Sequence, residues 1–383
     1  MQEIISMSYW RKLLGISNKK PLTDDHLGQV EKVISLAYID PYLGTDLISA
    51  NAIKRIYQVN NQLHIATVLN YPGLIVRPII IDALSQALKT LNLFDEVLID
   101  VQWDIPTHLG QRQEASRIKN IIAVSSGKGG VGKSTTTVNL ALALSEAGAS
   151  VGILDADVYG PSQPHLLGIP AGTTPQSRDM RTYAPVTAYD IKVMSMGLMV
   201  TEKTPLMWRG PVASETIQQL INQTLWGDMD YLLIDMPPGT GDIHITLAQT
   251  LAIAGTVVVT TPQDIALLDV KKGIDMFNAV DVPLLGIIEN MATHTCSQCN
   301  HIEHVFGEFG GESIARKFQS EILGSLPLNI KIREQADAGL PILLAKPSSD
   351  IAQTYRDIAL KLAVNVAEPG LITPLPKITF VND

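Results

Sequence analysis

A glycine-rich run with two lysines carries the clearest chemistry in the sequence. It reads Gly127-Lys128-Gly129-Gly130-Val131-Gly132-Lys133-Ser134-Thr135. This pattern, G-x-x-x-x-G-K-[ST], binds nucleotide phosphates because its glycines let backbone N–H groups point inward and the helix that follows adds partial positive charge. In such loops a lysine at the position of Lys133 reaches the β- and γ-phosphates, and a hydroxyl at the position of Ser134 binds Mg²⁺. An apolar run precedes the motif and a helical pattern follows it, so the sequence predicts a nucleotide site.

A second lysine, Lys128, lies inside this loop, where the general pattern requires none. It is either an ordinary solvated side chain or a group that reaches the nucleotide of a partner subunit. In the second case it would neutralise charge that develops during phosphoryl transfer, as an arginine finger does. The loop by itself leaves both interpretations open.

Acidic residues follow two further apolar runs. Asp155 and Asp157 come at the end of 151–154, and Asp235 follows 231–234. Ligands of open parallel sheets bind at the carboxyl ends of the strands. We expect Asp235 to be the second magnesium element of the site. Asp155 and Asp157 would orient magnesium-bound waters or the attacking water, and the alternative is that they cap loops.

Two cysteines, Cys296 and Cys299, form a C-x-x-C motif and are the only cysteines among the 383 residues. They exclude a disulfide-stapled scaffold and a four-cysteine site within one chain. A thioredoxin-like pair would need its own fold, and a zinc site with His301 and His304 would be compact and strained. Two ordinary loop cysteines are another possibility. The last is half of an iron–sulfur site, because clusters commonly take four thiolates and a symmetric dimer would supply them.

Strand and helix patterns place these motifs in one large unit. From Lys119, short runs of Val, Ile and Leu alternate with helical patterns, which predicts an α/β fold with a doubly wound, mostly parallel sheet. The predicted strands are 121–124, 151–154, 231–234, 256–259 and 284–288, and the predicted helices are 135–147, 267–277, 312–318 and 350–366.

A smaller α/β unit precedes it. The patterns predict helices over 24–37 and 79–91, a hairpin of strands 52–59 and 63–69 around Asn60-Asn61, and a strand over 96–103. The predicted organisation is an extension (1–21), a small α/β domain (22–105), a linker (106–117), a P-loop ATPase domain (118–366) and a tail (367–383).

Composition narrows the function classes. Lys and Arg number 29 against 38 Asp and Glu, a net charge of −9, which argues against a nucleic-acid binder. Hydrophobic residues make up 46% and charged residues 17%, enough for buried cores. The longest apolar run, near 251–259, is about half of what a membrane span needs, and no signal-peptide pattern opens the sequence. We expect a cytoplasmic protein that binds neither nucleic acid nor membrane.

The region from about 119 to 360 resembles the Mrp/ApbC family of iron–sulfur cluster carriers, deviant-Walker ATPases related to MinD, ParA and the nitrogenase iron protein. The stretch 119–164 carries most of the likeness. It continues through Trp208-Arg209-Gly210-Pro211, Asp235-Met236-Pro237-Pro238-Gly239-Thr240-Gly241-Asp242, Thr261-Pro262-Gln263-Asp264, Glu289-Asn290-Met291 and the C-x-x-C pair.

This resemblance implies roles for individual residues. ATP and Mg²⁺ would bind at the loop, with Lys128 acting across a dimer. Asp157 would align the attacking water, Asp155 would lie near Mg²⁺, and Asn290 would recognise adenine. A [4Fe–4S] cluster would be bridged by Cys296 and Cys299 of two subunits.

The implied function is a homodimeric ATPase that receives a cluster from an assembly scaffold and passes it to apo-proteins, with hydrolysis coupled to loading or transfer. A MinD- or ParA-like positioning ATPase and a zinc-stabilised nucleotide switch are the alternatives. Membrane-bound positioning ATPases need a basic amphipathic C-terminal helix, whereas the predicted helix 350–366 has mixed charges and an apolar face typical of core packing.

The segment 40–47 resembles the small MIP18-type domain that is often fused to these ATPases. Many such domains carry a cysteine after the second hairpin strand. This chain departs from that pattern, since it reads Leu69-Asn70-Tyr71-Pro72-Gly73 at that place. Without a thiol there, we expect the domain to act as a scaffold or a partner-docking unit.

Overall fold

The computed structural model describes residues 22–108, 118–177, 179, 181–199 and 210–368. The predicted extension, most of the predicted linker, Trp208, Arg209 and the tail from 369 onward lie outside the described residues. The chain divides into two compact units, one ending at Asp104 and the other beginning at Ile105.

The N-terminal unit is built on a three-stranded sheet. Its elements are α1 (Asp24–Ala37), β1 (Ile39–Asp40), β2 (Thr45–Asp46), β3 (Ile53–Val59), β4 (Gln62–Leu69), α2 (Arg77–Lys89) and β5 (Glu96–Trp103). Strand β4 lies in the centre, antiparallel to β3 and parallel to β5. Its burial alternates along the strand, so Leu63, Ile65 and Leu69 enter the core. Helix α2 packs on β5 and on α1.

A buried carboxylate organises the turn that follows α1. Asp40 is fully buried, and its Oδ1 accepts hydrogen bonds from the backbone N–H groups of Tyr42 (2.9 Å) and Leu43 (3.1 Å). The Tyr71 hydroxyl donates to Oδ2 of the same carboxylate. Burial and the Asp40 charge raise the pKa of Tyr71, so its hydroxyl stays protonated and keeps donating. This contact ties the turn to the end of β4.

The second unit contains the longer part of the chain. Its strands are β6 (Ile118–Ser125), β7 (Val151–Asp155), β8 (Gln176–Ser177), β9 (Tyr183–Ala184), β10 (Val186–Ala188), β11 (Ile191–Ser195), β12 (Met229–Asp235), β13 (Ile253–Thr260), β14 (Leu284–Glu289), β15 (His294–Thr295), β16 (Ile302–Glu303) and β17 (Ile322–Ser325). Its α-helices are α3 (Lys133–Glu146), α4 (Gln163–Leu166), α5 (Gly210–Gln223), α6 (Asp242–Thr250), α7 (Asp264–Ala279), α8 (Gly310–Lys317), α9 (Ile330–Asp337), α10 (Ile342–Ala345) and α11 (Asp350–Val366).

An eight-stranded sheet forms the centre of this unit, in the order β10-β11-β7-β12-β6-β13-β14-β17. Every neighbouring pair is parallel except β10 and β11. Helices α3 and α11 pack against each other. A separate hydrophobic cluster is formed by residues of α5 and α6 together with strand residues of the sheet. The predicted doubly wound, mostly parallel sheet is confirmed.

This topology brings the functional strands side by side. Strand β12 lies between β6 and β7, so the carboxyl ends of all three open onto the same edge. The sequence patterns named all three strands but not β11 or β17, which also join the sheet. Within the described ranges, no helix is long and apolar enough to cross a membrane.

Candidate functional site

The glycine-rich loop connects β6 to α3. Gly130 and Gly132 adopt positive φ values of 82° and 84°, a conformation that glycine reaches without strain. Gly132 is also the residue before α3, and a Cβ there would lie 2.2 Å from Nδ2 of Asn290. The Ser126 hydroxyl donates to the carbonyl oxygen of Lys128 at 2.9 Å and braces the start of the loop. The helix therefore begins at Lys133, with its N-terminus facing the loop.

Lys133 is paired with a carboxylate from a neighbouring strand. Its Nζ lies 2.5 Å from Oδ1 of Asp235, the last residue of β12, and the two side chains are 6% and 0% exposed. The Thr137 hydroxyl donates to the same oxygen at 3.1 Å. A buried counter-charge therefore holds the Lys133 ammonium group at the end of β12.

A second buried carboxylate stands beside Asp235. Asp155 ends β7 and is the direct register partner of Asp235. Its Oδ2 accepts from the backbone N–H groups of Ser162 (2.9 Å) and Gln163 (3.1 Å) and from the Ser195 hydroxyl (3.1 Å). Burial first, and then the charge of Asp235, raise the pKa of Asp155 to about 7.

Asp157 lies two residues farther along the same loop and is only partly buried. Its own N–H donates to Oδ1 of Asp155 at 3.2 Å, and its Oδ1 accepts from the N–H of Gly160 at 3.1 Å. The carboxylate thus sits on the loop after β7, at the strand edge that carries the phosphate loop.

Lys128 is half-exposed and lies 3.6 Å from Oδ2 of Asp269, on α7. Lys272 contacts Oδ1 of the same carboxylate at 3.2 Å. Helix α7 comes so close to the loop that a Cβ on Gly127 would lie 2.7 Å from the backbone nitrogen of Val270. Within this chain, the Lys128 ammonium group therefore contacts the carboxylate of Asp269 on α7.

Asn290 joins the loop to the end of β14. Its Nδ2 donates to the carbonyl oxygen of Val131 at 2.8 Å, and its Oδ1 accepts from the N–H of Met291 at 3.0 Å. The side chain is 8% exposed. Asn290 is thus in direct contact with the phosphate loop.

A proline turn after β12 closes another side of the site. The N–H of Gly239 donates to the carbonyl oxygen of Ser126 at 3.0 Å, which fixes the turn against the phosphate loop. Behind it, the buried His244 has its Nε2 3.0 Å from the carbonyl oxygen of Pro237. Burial lowers the pKa of His244, so the ring is neutral at neutral pH.

One residue of this cluster was not indicated by any motif. Gln163, fully buried at the start of α4, donates from Nε2 to the carbonyl oxygen of Ser134 (3.1 Å) and to Oδ2 of Asp235 (2.9 Å). Its position shortly after Asp155, at the end of the Pro161-Ser162 turn, was the signal available in the sequence.

The cysteines lie on a separate hairpin. Strands β15 and β16 pair antiparallel, and the turn between them is closed by the N–H of Cys296 donating to the carbonyl oxygen of His301 (2.9 Å). Both thiols are free; Cys296 is half-buried and Cys299 is exposed. Backbone N–H groups of Gln298 and Cys299 lower the pKa of the Cys296 thiol, which favours the thiolate that binds metal.

The described residues hold no group of three or more His, Cys, Asp or Glu side chains placed to bind a metal ion. His304 instead lies 3.5 Å from Glu308, on the surface. The compact zinc site with His301 and His304 therefore finds no support, and the two thiols of one chain are an incomplete ligand set.

The oxygen-rich end of the phosphate loop fits a magnesium ion. Mg²⁺ binds oxygen ligands and usually keeps several waters. The Ser134 hydroxyl and the Asp235 carboxylate are the oxygens that would hold it, and Asp155 lies next to them. Bound there with nucleotide, the ion would neutralise phosphate charge.

The structure thus gathers Lys133, Ser134, Asp155 and Asp235 at one sheet edge, and Asn290 contacts the loop at Val131. A glycine-rich loop between a buried strand and a helix, with its lysine on an acidic strand end, defines a P-loop NTPase.

Comparisons with known proteins agree with that class. Residues 117–363 match the family described as NUBPL iron-transfer P-loop NTPase, a member of the ParA group. The chain belongs to this family. It is 52% identical over 279 residues to the iron–sulfur cluster carrier protein of Pseudomonas fragi, covering 72% of this chain and 97% of that one.

Two further relatives extend the comparison. The iron–sulfur cluster carrier protein of Haemophilus influenzae is 45% identical over 359 residues, covering 92% of this chain and 95% of that one. Among solved structures, a nucleotide-binding protein in complex with ADP from Archaeoglobus fulgidus is 37% identical, with a TM-score of 0.53, and covers 62% of this chain and 92% of that one.

Proposed function

We propose that this chain is an ATP-hydrolysing carrier that binds a [4Fe–4S] cluster between the Cys296 and Cys299 pairs of two subunits and passes it to apo-proteins. The cluster is cargo, received from an assembly scaffold. One observation carries the proposal: a nucleotide loop and an accessible pair of thiols, one with a lowered pKa, belong to the same folded unit. The relatives named iron–sulfur cluster carriers support it.

The number of thiols per chain implies a dimer. Iron–sulfur clusters commonly take four thiolates, and each chain supplies two. A two-fold axis places the same hairpin of both subunits together. In that dimer Lys128 would leave Asp269 and reach the nucleotide of the partner subunit.

The nucleotide chemistry is divided among the clustered residues. Lys133 would exchange Asp235 for the β- and γ-phosphates, and Ser134 with Asp235 would hold Mg²⁺. Asp157 would align the attacking water, and Asp155 would order the loop that carries Asp157 through the hydrogen bond it accepts from that residue's N–H. Asn290, which already contacts the loop, would read the adenine ring.

We propose that the N-terminal unit is a MIP18-type domain without a thiol. Its turn is ordered by the buried Asp40 and Tyr71, and no cysteine is available in this unit. We assign it a scaffold or partner-docking role in cluster delivery.

Anaerobic cluster reconstitution tests the proposal. The wild type is expected to bind about two irons per chain, with matching sulfide, because one bridged cluster serves two chains. Cys296→Ala should lose them. Ser297→Ala, in the same exposed turn, is the matched control and should keep them. Zinc in place of iron and sulfide would favour a zinc-stabilised switch.

Coupling to ATP is tested separately. Cluster transfer from the loaded protein to an apo-protein is measured with and without Mg-ATP. We expect the rate or the extent to change, since Asn290 links the loop to the segment that carries the thiols. Identical transfer under both conditions would show that nucleotide and cluster act independently.

A further inference from the structure

Gln163 is a buried polar residue in the nucleotide cluster whose role neither the motifs nor the family assign. It is 0% exposed. Its backbone N–H donates to Asp155, and its side-chain Nε2 donates to the Ser134 carbonyl oxygen and to Asp235. One side chain therefore bridges the phosphate loop and the acidic end of β12.

The partners of Nε2 fix which way the amide faces. A carbonyl oxygen and a carboxylate oxygen only accept hydrogen bonds, so the NH₂ group must face Ser134 and Asp235. The amide oxygen Oε1 takes no part in these two contacts. It is buried and has no hydrogen-bond partner in the described part of the chain. Buried amide oxygens are nearly always satisfied, so Oε1 calls for a donor that the described residues do not supply.

The surroundings indicate which donor this is. Oδ1 of Asp235 is taken by Lys133 and Thr137, and Oδ2 by Gln163 itself. A magnesium ion at Ser134 and Asp235 would keep several bound waters, and such waters are strong hydrogen-bond donors. Acceptors beyond the direct ligands orient those ligands and tune metal affinity.

We propose that Oε1 of Gln163 accepts a hydrogen bond from a water bound to the magnesium ion that accompanies the nucleotide. Gln163 is then a positioning residue, which couples the ion to the phosphate loop through Ser134. The inference rests on the proposed nucleotide site and is independent of the cluster.

The test measures magnesium dependence of nucleotide binding on cluster-free full-length protein. A fluorescent ADP analogue is bound in EDTA and then titrated with Mg²⁺. Gln163→Met keeps the length of the side chain but removes both amide groups. Its affinity for the analogue in EDTA measures what the loss of the Nε2 contacts costs by itself, and the apparent magnesium affinity should fall about 10- to 100-fold beyond that loss. His165→Gln, on the exposed side of α4, is the matched control and should titrate like wild type.

Three results would overturn the proposal. The first is overlapping magnesium titrations for wild type and Gln163→Met. The second is a parallel loss of affinity in EDTA and in Mg²⁺, which would mean that Gln163 only braces the loop. The third is a wild type that binds the analogue equally well with and without Mg²⁺. If Gln163→Met does not fold, Gln163→Asn, which withdraws the amide by one methylene, is titrated in its place with the same expectation. Because no cluster is present, a failed reconstitution leaves this result unaffected.

Discussion

At the scale of single residues, the two lysines of the phosphate loop have opposite environments. Lys133 is 6% exposed and its partner Asp235 is 0% exposed, whereas Lys128 and Asp269 are 37% and 31% exposed. Removing one member of a buried ion pair leaves an uncompensated charge, but exposed pairs contribute little. We therefore expect the loss of Lys133 to destabilise the fold. Lys128 can leave Asp269 at little cost in folding free energy.

Lys133→Met should destabilise the nucleotide-free protein by about 3 kcal/mol, because Asp235 is left buried without its counter-charge. It should also abolish nucleotide binding. Lys128→Met is the matched control: its unfolding free energy should stay within about 0.5 kcal/mol of wild type and nucleotide should still bind. Hydrolysis by Lys128→Met should fall by about 10³-fold, as when an arginine finger is removed. Urea unfolding measures the stability of the two variants, and steady-state assays measure their hydrolysis. Equal unfolding free energies of Lys133→Met and Lys128→Met would contradict this interpretation of the two lysines.

His244 is a second residue whose environment has a measurable consequence. Burial lowers its pKa below the ordinary histidine value of about 6.5. The unfolded chain then binds a proton more readily than the folded one, so the stability that neutral His244 contributes is present above about pH 6.5 and is lost as the pH falls through the folded-state value.

Between pH 7.5 and 5.5 the contribution of His244 to the unfolding free energy should fall, by up to about 1.4 kcal/mol per pH unit. The raised pKa of Asp155 acts in the opposite direction, but it does so equally in wild type and in a His244 variant. His244→Gln keeps a hydrogen-bond donor for the Pro237 carbonyl oxygen but cannot titrate, so it should gain stability relative to wild type as the pH falls. Urea midpoints at several pH values measure the difference. His165→Gln is the control, because it removes an imidazole that is exposed to solvent. Parallel acid profiles for wild type and His244→Gln would refute the assignment.

The residue scale also shows what the sequence could and could not reveal. Lys133, Ser134 and Asp235 are recognisable because a motif or an apolar strand end fixes their position. Gln163 meets Asp235 across 72 residues and Asn290 meets Val131 across 159. Such contacts depend on strand order, which local patterns do not specify.

At the scale of elements, the segment that carries the thiols is anchored at both ends beside the nucleotide loop. It leaves β14 at Asn290, which donates to the loop at Val131. It returns at the start of α8, where the N–H of Gly311 donates to Oε1 of the buried Glu289 at 2.7 Å. Adjacent residues of one strand end thus hold the loop and the far end of the thiol segment. The proposed coupling between nucleotide and thiols would act through these two contacts.

Glu289→Ala should loosen the start of α8, because it removes a hydrogen bond to a charged acceptor worth about 1.5–3 kcal/mol. Amide hydrogen exchange over 291–311 should accelerate about 10-fold or more, since local opening becomes easier by that free energy. The exposed Glu312→Ala, in the first turn of the same helix, is the control and should exchange like wild type. Unchanged exchange in Glu289→Ala, or equal acceleration in both variants, would show that Glu289 does not anchor the segment.

Element prediction succeeded where burial is continuous along the strand. Strands β6, β7, β12, β13 and β14 are apolar runs, and α11 spans the predicted 350–366. Strand β17 was missed because it is four residues long and contains Gly324. A Cβ there would lie 2.5 Å from Cγ1 of Ile358, so this glycine is required by the packing of α11, a tertiary reason that no local pattern shows.

At the scale of the whole molecule, the packing of the C-terminal helix argues against a membrane-bound positioning ATPase. Helix α11 packs on α3 and buries Tyr355, Ile358 and Leu362. Its Arg356 makes two hydrogen bonds to the Glu146 carboxylate, at 2.9 and 3.0 Å. A helix whose apolar face is already covered by the core is not available for a membrane surface. Robust flotation with anionic liposomes would argue against the carrier and for a positioning ATPase.

The bridged cluster makes a prediction about assembly. If each chain supplies half of the ligands, cluster loading must join two chains, so the nucleotide-free loaded protein should have twice the 41.5 kDa chain mass by light scattering. The Cys296→Ala/Cys299→Ala double variant should stay at the single-chain mass after the same treatment. Mixing tagged double variant with untagged wild type and capturing the tag should recover almost no iron, because a mixed dimer has only two thiolates for a cluster that needs about four. Loaded protein at the single-chain mass with about four irons per chain, or iron captured with the double variant, would contradict a bridge between subunits.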